Sequence, residues 1–218
     1  MTNSATGDLI RTRNSKLGPK VVEALKARHF DAWFFEDEGE AVERLFSLIP
    51  REDVISWGGA MTVDELGIKE LARERGYRVI DRNTAPTPED RAQLMRQALL
   101  CGTFLMSSNA VSEDGHLVNI DGIGNRLAAL LYGPRQVIVI AGMNKVVKTL
   151  EDAVERARTI AAPINATRFP GMTAPCGATG ACGDCKSPDS ACSHIVITRL
   201  CRPAGRIKVI LINRDLGF

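Results

Sequence analysis

The chain has 218 residues, of which 44% are hydrophobic and 25% are charged, and its formal net charge is +2. These values are typical of a globular chain that buries a sizeable core, and they exclude a disordered, collagen-like or coiled-coil protein. The near-neutral charge and the 5% aromatic content also argue against a nucleic-acid partner.

No segment of the sequence has the composition of a membrane span or an export signal. The longest strongly apolar stretch covers 137–143, far below the ~20 residues that a spanning helix needs. The N-terminal segment has no hydrophobic region after its basic residues, unlike a signal peptide. We therefore expect a cytoplasmic protein without membrane insertion, in which six cysteines favour metal binding or redox chemistry over disulfides.

Short apolar strands alternate with amphipathic helices along most of the chain. Predicted helices cover 15–28, 40–49, 62–70, 87–100, 127–131 and 149–161. Predicted strands cover 32–35, 54–56, 78–80, 103–107, 137–140, 195–198 and 207–212. Segments 109–112 and 116–119 flank Glu113-Asp114-Gly115, which is a hairpin signal. The pattern predicts an α/β fold, with a mainly parallel sheet flanked by helices and interrupted once by the hairpin.

The predicted organisation is a flexible N-terminus over 1–14 and a single α/β domain over 15–218. Composition changes at Pro163, after which the chain is rich in Gly, Pro, Ala, Ser and Cys and has no periodicity. This segment is longer than an ordinary connection, so it is either disordered or organised by something that it binds. We expect a cysteine-rich, metal-binding loop over 163–193, inserted before the last strands.

Four cysteines of this loop form the strongest candidate site, and we predict that they bind a metal. They are Cys176, Cys182, Cys185 and Cys192. Intervening glycines give the backbone the freedom that lets four sulfurs converge. Four thiolates are the ligand set of an iron–sulfur cluster or of a tetrahedral zinc. At this point it stays open whether Cys201 replaces one of the four.

The spacing of these cysteines favours a [4Fe–4S] cluster, with zinc as the alternative. Structural zinc sites usually present two tight cysteine pairs, whereas here one Cys-x2-Cys pair is flanked by single cysteines at wider separations. The spacing does not match the ferredoxin run either.

A second candidate site lies where the hairpin ends and an apolar helix begins. Gly122 and Gly124 allow backbone amides to approach a ligand, and Arg126 adds positive charge. A small anion, such as a phosphate or carboxylate, is therefore expected to contact these three residues together with Asp121 and Asn125. In the alternative interpretation, Asp121 or Asn125 caps the helix and the segment is a tight turn.

A third candidate site combines the carboxyl ends of two predicted strands. Gly58 and Gly59 turn the chain between a strand and a helix, and Lys145 follows the buried strand 137–140, where it could bind the same anion. Glu65 is the candidate catalytic acid or base, although its spacing from Thr62 is also that of a capping box, which is the commoner role.

At these residues the sequence resembles the LUD domain family of lactate-utilisation proteins. The resemblance covers about residues 15–161 and rests on the segments 56–60, 65–67, 109–111, 117–126, 133–134 and 142–145. The cysteine-rich stretch resembles a tail seen in one branch of these proteins. The resemblance implies the fold of sugar-phosphate isomerases and CoA-transferase-like proteins, whose ligands bind at loops on the carboxyl edge of the sheet.

The family resemblance implies a role in an iron–sulfur system that oxidises lactate to pyruvate, as an oxidoreductase or as a subunit of one. The small LUD component of that system typically lacks a cysteine tail, so a stand-alone cluster-dependent enzyme is an equal hypothesis. A non-redox enzyme for a sugar phosphate or acyl thioester and a zinc-stabilised binding subunit are two further hypotheses. The expected partners are a small anionic metabolite and a redox protein, and the oligomeric state stays open, a homo-oligomer included.

Overall fold

The computed structural model describes residues 5–218, so the expected flexibility of residues 1–4 lies outside it. Its strands are β1 (Asp31–Phe35), β2 (Val54–Trp57), β3 (Arg78–Ile80), β4 (Thr103–Met106), β5 (Ala110–Ser112), β6 (Leu117–Asp121), β7 (Gln136–Gly142), β8 (Val146–Val147), β9 (His194–Thr198) and β10 (Ile207–Ile212). Its helices are α1 (Ala5–Ala27), α2 (Glu38–Ser47), α3 (Met61–Glu65), α4 (Ile68–Glu74), α5 (Pro88–Gln97), α6 (Asn125–Leu131), α7 (Leu150–Arg156), α8 (Ala162–Ala166) and α9 (Pro175–Thr179).

The main sheet of the described chain is six-stranded and parallel, in the order β1-β10-β7-β4-β2-β3. Its central strands read as continuous apolar runs because both faces are covered. In β7, Val137 and Val139 face the core beneath α1 and α6, whereas Ile138 and Ile140 face the core beneath α2, α3 and α4. The prediction of an α/β fold with a mainly parallel sheet flanked by helices is confirmed.

The hairpin does not interrupt the main sheet, and that part of the prediction was wrong. Strands β5 and β6 pair with each other and build a second sheet, in the order β8-β5-β6-β9. This sheet packs on α7 through Val118, Ile120 and Ala153. The last two strands consequently separate, since β9 pairs with β6 in the second sheet while β10 lies between β1 and β7.

Two predicted helices differ from those observed. Helix α1 begins at Ala5 instead of residue 15, because its first turns are held by hydrogen bonds from Asn213 to the Arg11 carbonyl and to Ser15 Oγ. Residues 5–14, expected as flexible, are therefore helical. The predicted helix over 62–70 is two helices, because Gly67 takes a left-handed conformation (φ 61°) between them.

The segment over 163–193 contains α8 and α9 and is otherwise irregular. A π-helical turn over Ala157–Ala161 links α7 to α8, so the predicted helix over 149–161 is α-helical only as far as Arg156. No helix in residues 5–218 is long and apolar enough to cross a membrane.

Candidate functional site

Four adjacent strands of the main sheet, β7, β4, β2 and β3, carry candidate residues at their carboxyl ends. Lys145 follows β7, Ser107 follows β4, Gly59 follows β2 and Arg82 follows β3. Parallel strands end at the same edge of a sheet, which is where α/β proteins bind ligands. These four residues line one cavity of about 510 Å³.

Further walls of this cavity come from three segments outside the main sheet, beside residues of the helices α3, α4 and α5. The end of β6, the loop after it and the start of α6 contribute Asp121, Gly122, Asn125 and Arg126, and two parts of the cysteine-rich region contribute residues within 165–172 and 188–193. Gly122 lies directly against the second of these parts, since a Cβ at Gly122 would be 3.2 Å from the Ser190 carbonyl oxygen. We call the whole space the basic cavity, because of the charges described below.

Arg126 is held at the wall of the basic cavity by three acceptors. Its Nη2 donates to Asn109 Oδ1 at 3.0 Å and to the Ile120 carbonyl, and its Nε lies 3.4 Å from Asp121 Oδ2. Burial lowers the pKa of Arg126, and the Asp121 carboxylate acts in the opposite direction. The stem of Arg126 crosses Gly58, where a Cβ would lie 2.8 Å from Arg126 Cδ. Gly58 therefore makes room for the arginine.

Lys145 is buried, with a relative exposure of 3%, although a lysine at this edge of the sheet is usually solvated. Its Nζ donates to Ser107 Oγ at 2.9 Å and to Thr62 Oγ1 at 3.1 Å. Burial, followed by the charges of Arg156 and Arg126, lowers the pKa of Lys145 to about 7, against a smaller opposing effect of Glu65. Lys145 is thus an amine that exchanges its proton near neutral pH.

Positive charge predominates around the basic cavity. Among its described lining residues, the cations are Lys69, Arg82, Arg91, Arg126, Lys145 and Arg168, and the carboxylates are Asp64, Asp121 and Asp189. Asp64 pairs with Lys69 and Asp121 with Arg126, while Asp189 accepts hydrogen bonds from Thr173. The arrangement therefore suits an anionic ligand.

Three of the predicted site residues do not line the basic cavity. Gly58 makes room for Arg126. Gly124, with φ 81°, precedes α6, and its N–H donates to Asp121 Oδ1 at 3.1 Å. The Glu65 carboxylate accepts the Gly217 N–H at 2.7 Å. The group presented to the cavity at this position is Lys145.

The capping box expected from Thr62 and Glu65 was wrong. Helix α3 begins at Met61, after Ala60, and no side chain caps it. The N-cap residue is Ala60, two residues earlier than the capping-box pattern indicates, so Thr62 lies inside the helix and its Oγ1 accepts the Lys145 hydrogen bond.

The four cysteines of the irregular segment line a second cavity of about 310 Å³, which we call the cysteine cavity. Burial, followed by the charges of the other three cysteines as thiolates, raises the pKa of Cys192. Arg158 of the π-helical turn lines the same cavity and pairs with Asp184. Within residues 5–218, no three His, Cys, Asp or Glu side chains form a group that could hold a single metal ion as they stand.

Cys201 lies elsewhere. It is 2% exposed in the core beneath α1, and its sulfur contacts the Pro203 carbonyl at 3.1 Å and the Ile207 N–H at 3.2 Å. The cysteine cavity therefore has Cys176, Cys182, Cys185 and Cys192 as its thiols.

The two cavities are neighbours, because Ser190 and Ala191 line both of them. These residues directly precede Cys192, whose N–H donates to Ser190 Oγ at 3.2 Å. A ligand in the basic cavity and a group held by the cysteines would therefore be separated by the segment that contains Ser190 and Ala191.

The LUD domain family model matches residues 18–212, which is most of the chain and includes the residues of both cavities except Phe218. The chain belongs to the LUD domain family. A comparison with curated proteins found no match.

A solved structure with the same overall fold as this LUD domain protein is a DUF162 family protein from Deinococcus radiodurans. The two are 12% identical, with a TM-score of 0.53, and the match covers 91% of this chain and 98% of the other. Partial matches include eIF2B delta from Chaetomium thermophilum (17% identity, 55% and 54% of the two chains, TM-score 0.32) and ribose 5 phosphate isomerase A from Neisseria gonorrhoeae (16%, 52% and 54%, TM-score 0.33).

Several residues that shape the site in this LUD domain protein were not predicted from the sequence. Arg82 follows β3, so the rule that found Lys145 would have found it too. Arg91 and Arg168 lie on a helix and in the irregular segment, and no local pattern marks them as facing a cavity.

Proposed function

We propose that this LUD domain protein holds a [4Fe–4S] cluster and takes part in the oxidation of a small hydroxy acid such as lactate in the cytoplasm, as an enzyme or as a subunit of one. The observation that carries the proposal is the wall shared by the two cavities. A basic cavity that suits a carboxylate and a cavity lined by four thiols meet at Ser190 and Ala191.

The residues of the cysteine cavity fit an iron–sulfur cluster. Four thiols, at Cys176, Cys182, Cys185 and Cys192, are the ligand set of a cubane, and a single ion would fill only a small part of about 310 Å³. Arg158 would supply positive charge beside the negatively charged thiolates. When bound, the cluster supplies one-electron transfer, so a partner protein or a second cofactor must complete a two-electron oxidation.

The chain's own residues would bind the hydroxy acid and hold its proton. Arg126, fixed by Asp121 and Asn109, presents a guanidinium to the substrate carboxylate. Above a pH of about 7, neutral Lys145 can accept the proton of the substrate hydroxyl, and Ser107 and Thr62 keep its Nζ in place. Phe169 and Met172 add apolar surface to the lining of the cavity.

The test is whether an acid bound in the basic cavity is sensed at the cysteine cavity. Protein purified without oxygen and reduced with dithionite is examined by electron paramagnetic resonance, with and without lactate or malate. We expect either acid to change the spectrum of the reduced cluster in the natural protein and not in the Arg126→Gln variant. Arg96→Gln, an exposed arginine on α5 outside the cavity, should behave like the natural protein.

An unchanged spectrum under saturating acid would contradict the proposed contact between the two cavities. Loss of the effect in Arg96→Gln as well as in Arg126→Gln would show that the effect is a nonspecific response to lost charge.

A second candidate function is a non-redox enzyme for a sugar phosphate or an acyl thioester. The observation that favours it is the buried amine of Lys145 among arginines, since this arrangement can bind an anion and move a proton without iron. In that case the Cys182→Ala variant would keep both its ligand-induced thermal stabilisation and its activity.

A further inference from the structure

Two arginines of the basic cavity have no carboxylate partner in the described part of the chain. Arg82 Nη1 lies 3.5 Å from the Met95 sulfur. Arg91 donates to the Arg82 carbonyl at 3.3 Å and to Asn83 Oδ1 at 3.0 Å. The acids adjacent to them in sequence have other partners: Asp81 is engaged by Arg73 Nη2 at 2.5 Å, and Asp90 accepts the Thr87 hydroxyl at 2.7 Å. Neither guanidinium group therefore forms an ion pair within residues 5–218, and the Asp121 and Asp81 carboxylates act on Arg82 without contacting it in an ion pair.

Arg82 lies close to Arg126 as well as to Arg91. A Cβ at Gly59 would be 2.8 Å from Arg82 Nη2, and a Cβ at the preceding Gly58 would be 2.8 Å from Arg126 Cδ. The two arginines thus cross adjacent residues of one loop. Burial, followed by the charge of Arg91, lowers the pKa of Arg82, while Asp121 acts in the opposite direction and Arg126 adds a smaller lowering effect. Three cations share this side of the cavity, and the lining carboxylate that acts on Arg82 is Asp121, which forms its ion pair with Arg126.

The volume of the cavity, like its charge, favours a ligand larger than a three-carbon acid with one carboxylate. A volume of about 510 Å³ lies within the range of cavities that enclose ligands of drug size, whereas a three-carbon acid would leave most of it filled with water. A ligand with a single carboxylate held by Arg126 would also leave Arg82 and Arg91 without an ion-pair partner.

We propose that the substrate of this cavity is a hydroxy acid with a second anionic group, a carboxylate or a phosphate, which Arg82 and Arg91 bind while Arg126 binds the first. This inference rests on the proposed function, since it specifies the substrate class of the same site. It distinguishes the chain from a protein built for a monocarboxylate such as lactate. Arginine is suited to both groups because its planar fork binds carboxylate and phosphate through two parallel hydrogen bonds.

The experiment is isothermal titration calorimetry of the full chain with three probes: lactate, malate and 3-phosphoglycerate. We expect malate or 3-phosphoglycerate to bind at least tenfold more tightly than lactate at the same ionic strength. The Arg82→Gln and Arg91→Gln variants should each lose about tenfold in affinity for the dianion and keep their affinity for lactate. The matched control is Arg96→Gln, on the same helix as Arg91 but exposed, which should change neither affinity.

Preference for malate would identify the second group as a carboxylate, and preference for 3-phosphoglycerate would identify it as a phosphate. Equal affinity for all three probes, no binding of any probe, or an equal loss for lactate and dianion in Arg82→Gln would overturn the inference. Thermal unfolding of each variant shows whether it is folded. Iron analysis on the same samples separates the two proposals: selective dianion binding without iron contradicts only the redox function, and iron without selectivity contradicts only the substrate class.

Discussion

Replacing Lys145 with methionine removes a buried amine whose pKa falls from 10.5 to about 7 on folding. Because the unfolded chain binds this proton more tightly than the folded protein does, the contribution of Lys145 to the free energy of unfolding rises with pH between 7 and 10.5. One pKa unit corresponds to about 1.4 kcal/mol, with half that slope at the lower pKa itself, so the rise between pH 7 and pH 9 is about 2.3 kcal/mol.

The assay is urea unfolding of the natural protein and of Lys145→Met at pH 6, 7, 8 and 9. The pH dependence of every other group cancels in the difference between the two proteins, apart from groups coupled to Lys145. Relative to the variant, the natural protein should therefore gain about 2.3 kcal/mol from pH 7 to pH 9, and little between pH 6 and pH 7. A difference that stays constant over this range, or that falls with pH, would refute a lysine held neutral by burial.

Three further predictions test other parts of the site. Cys182→Ala should lose most of the bound iron measured by elemental analysis, whereas Cys201→Ala, in the core, should keep it; equal losses would contradict the assignment of the ligands. Gly58→Ala should weaken malate binding about tenfold in calorimetry, because its Cβ would displace Arg126, and an unchanged affinity would contradict that role. Gly124→Ala should cost about 1 kcal/mol in urea unfolding because its φ is 81°, and a neutral effect would contradict backbone strain there.

Continuous apolar runs predicted the core of the main sheet well. The 137–140 and 207–212 segments are adjacent parallel strands, and Thr87 caps α5 with its side chain as its sequence indicates. The second sheet could not be predicted in the same way. Its edge strand β8 has only two residues, and β9 pairs with β6 across about eighty residues of sequence. Neither pairing can therefore be predicted from a local sequence pattern.

The site was partly predictable for a similar reason. The carboxyl ends of parallel strands meet at one edge, which located Gly59 and Lys145 from the sequence alone. The depth of Lys145 and its hydroxyl partners depends on packing between β4, β7 and α3, which the sequence does not show. Glu65 has the side chain of a general acid or base, but its carboxylate accepts a hydrogen bond from the Gly217 N–H.

The most direct test of the central claim is iron, zinc and sulfide analysis of protein purified without oxygen, combined with its visible spectrum. About four irons and four sulfides per chain, with a broad band near ~400 nm that dithionite bleaches, is the result that we expect from four thiols around one cavity. One tightly bound zinc without sulfide would contradict the cluster, and with it the electron-transfer function.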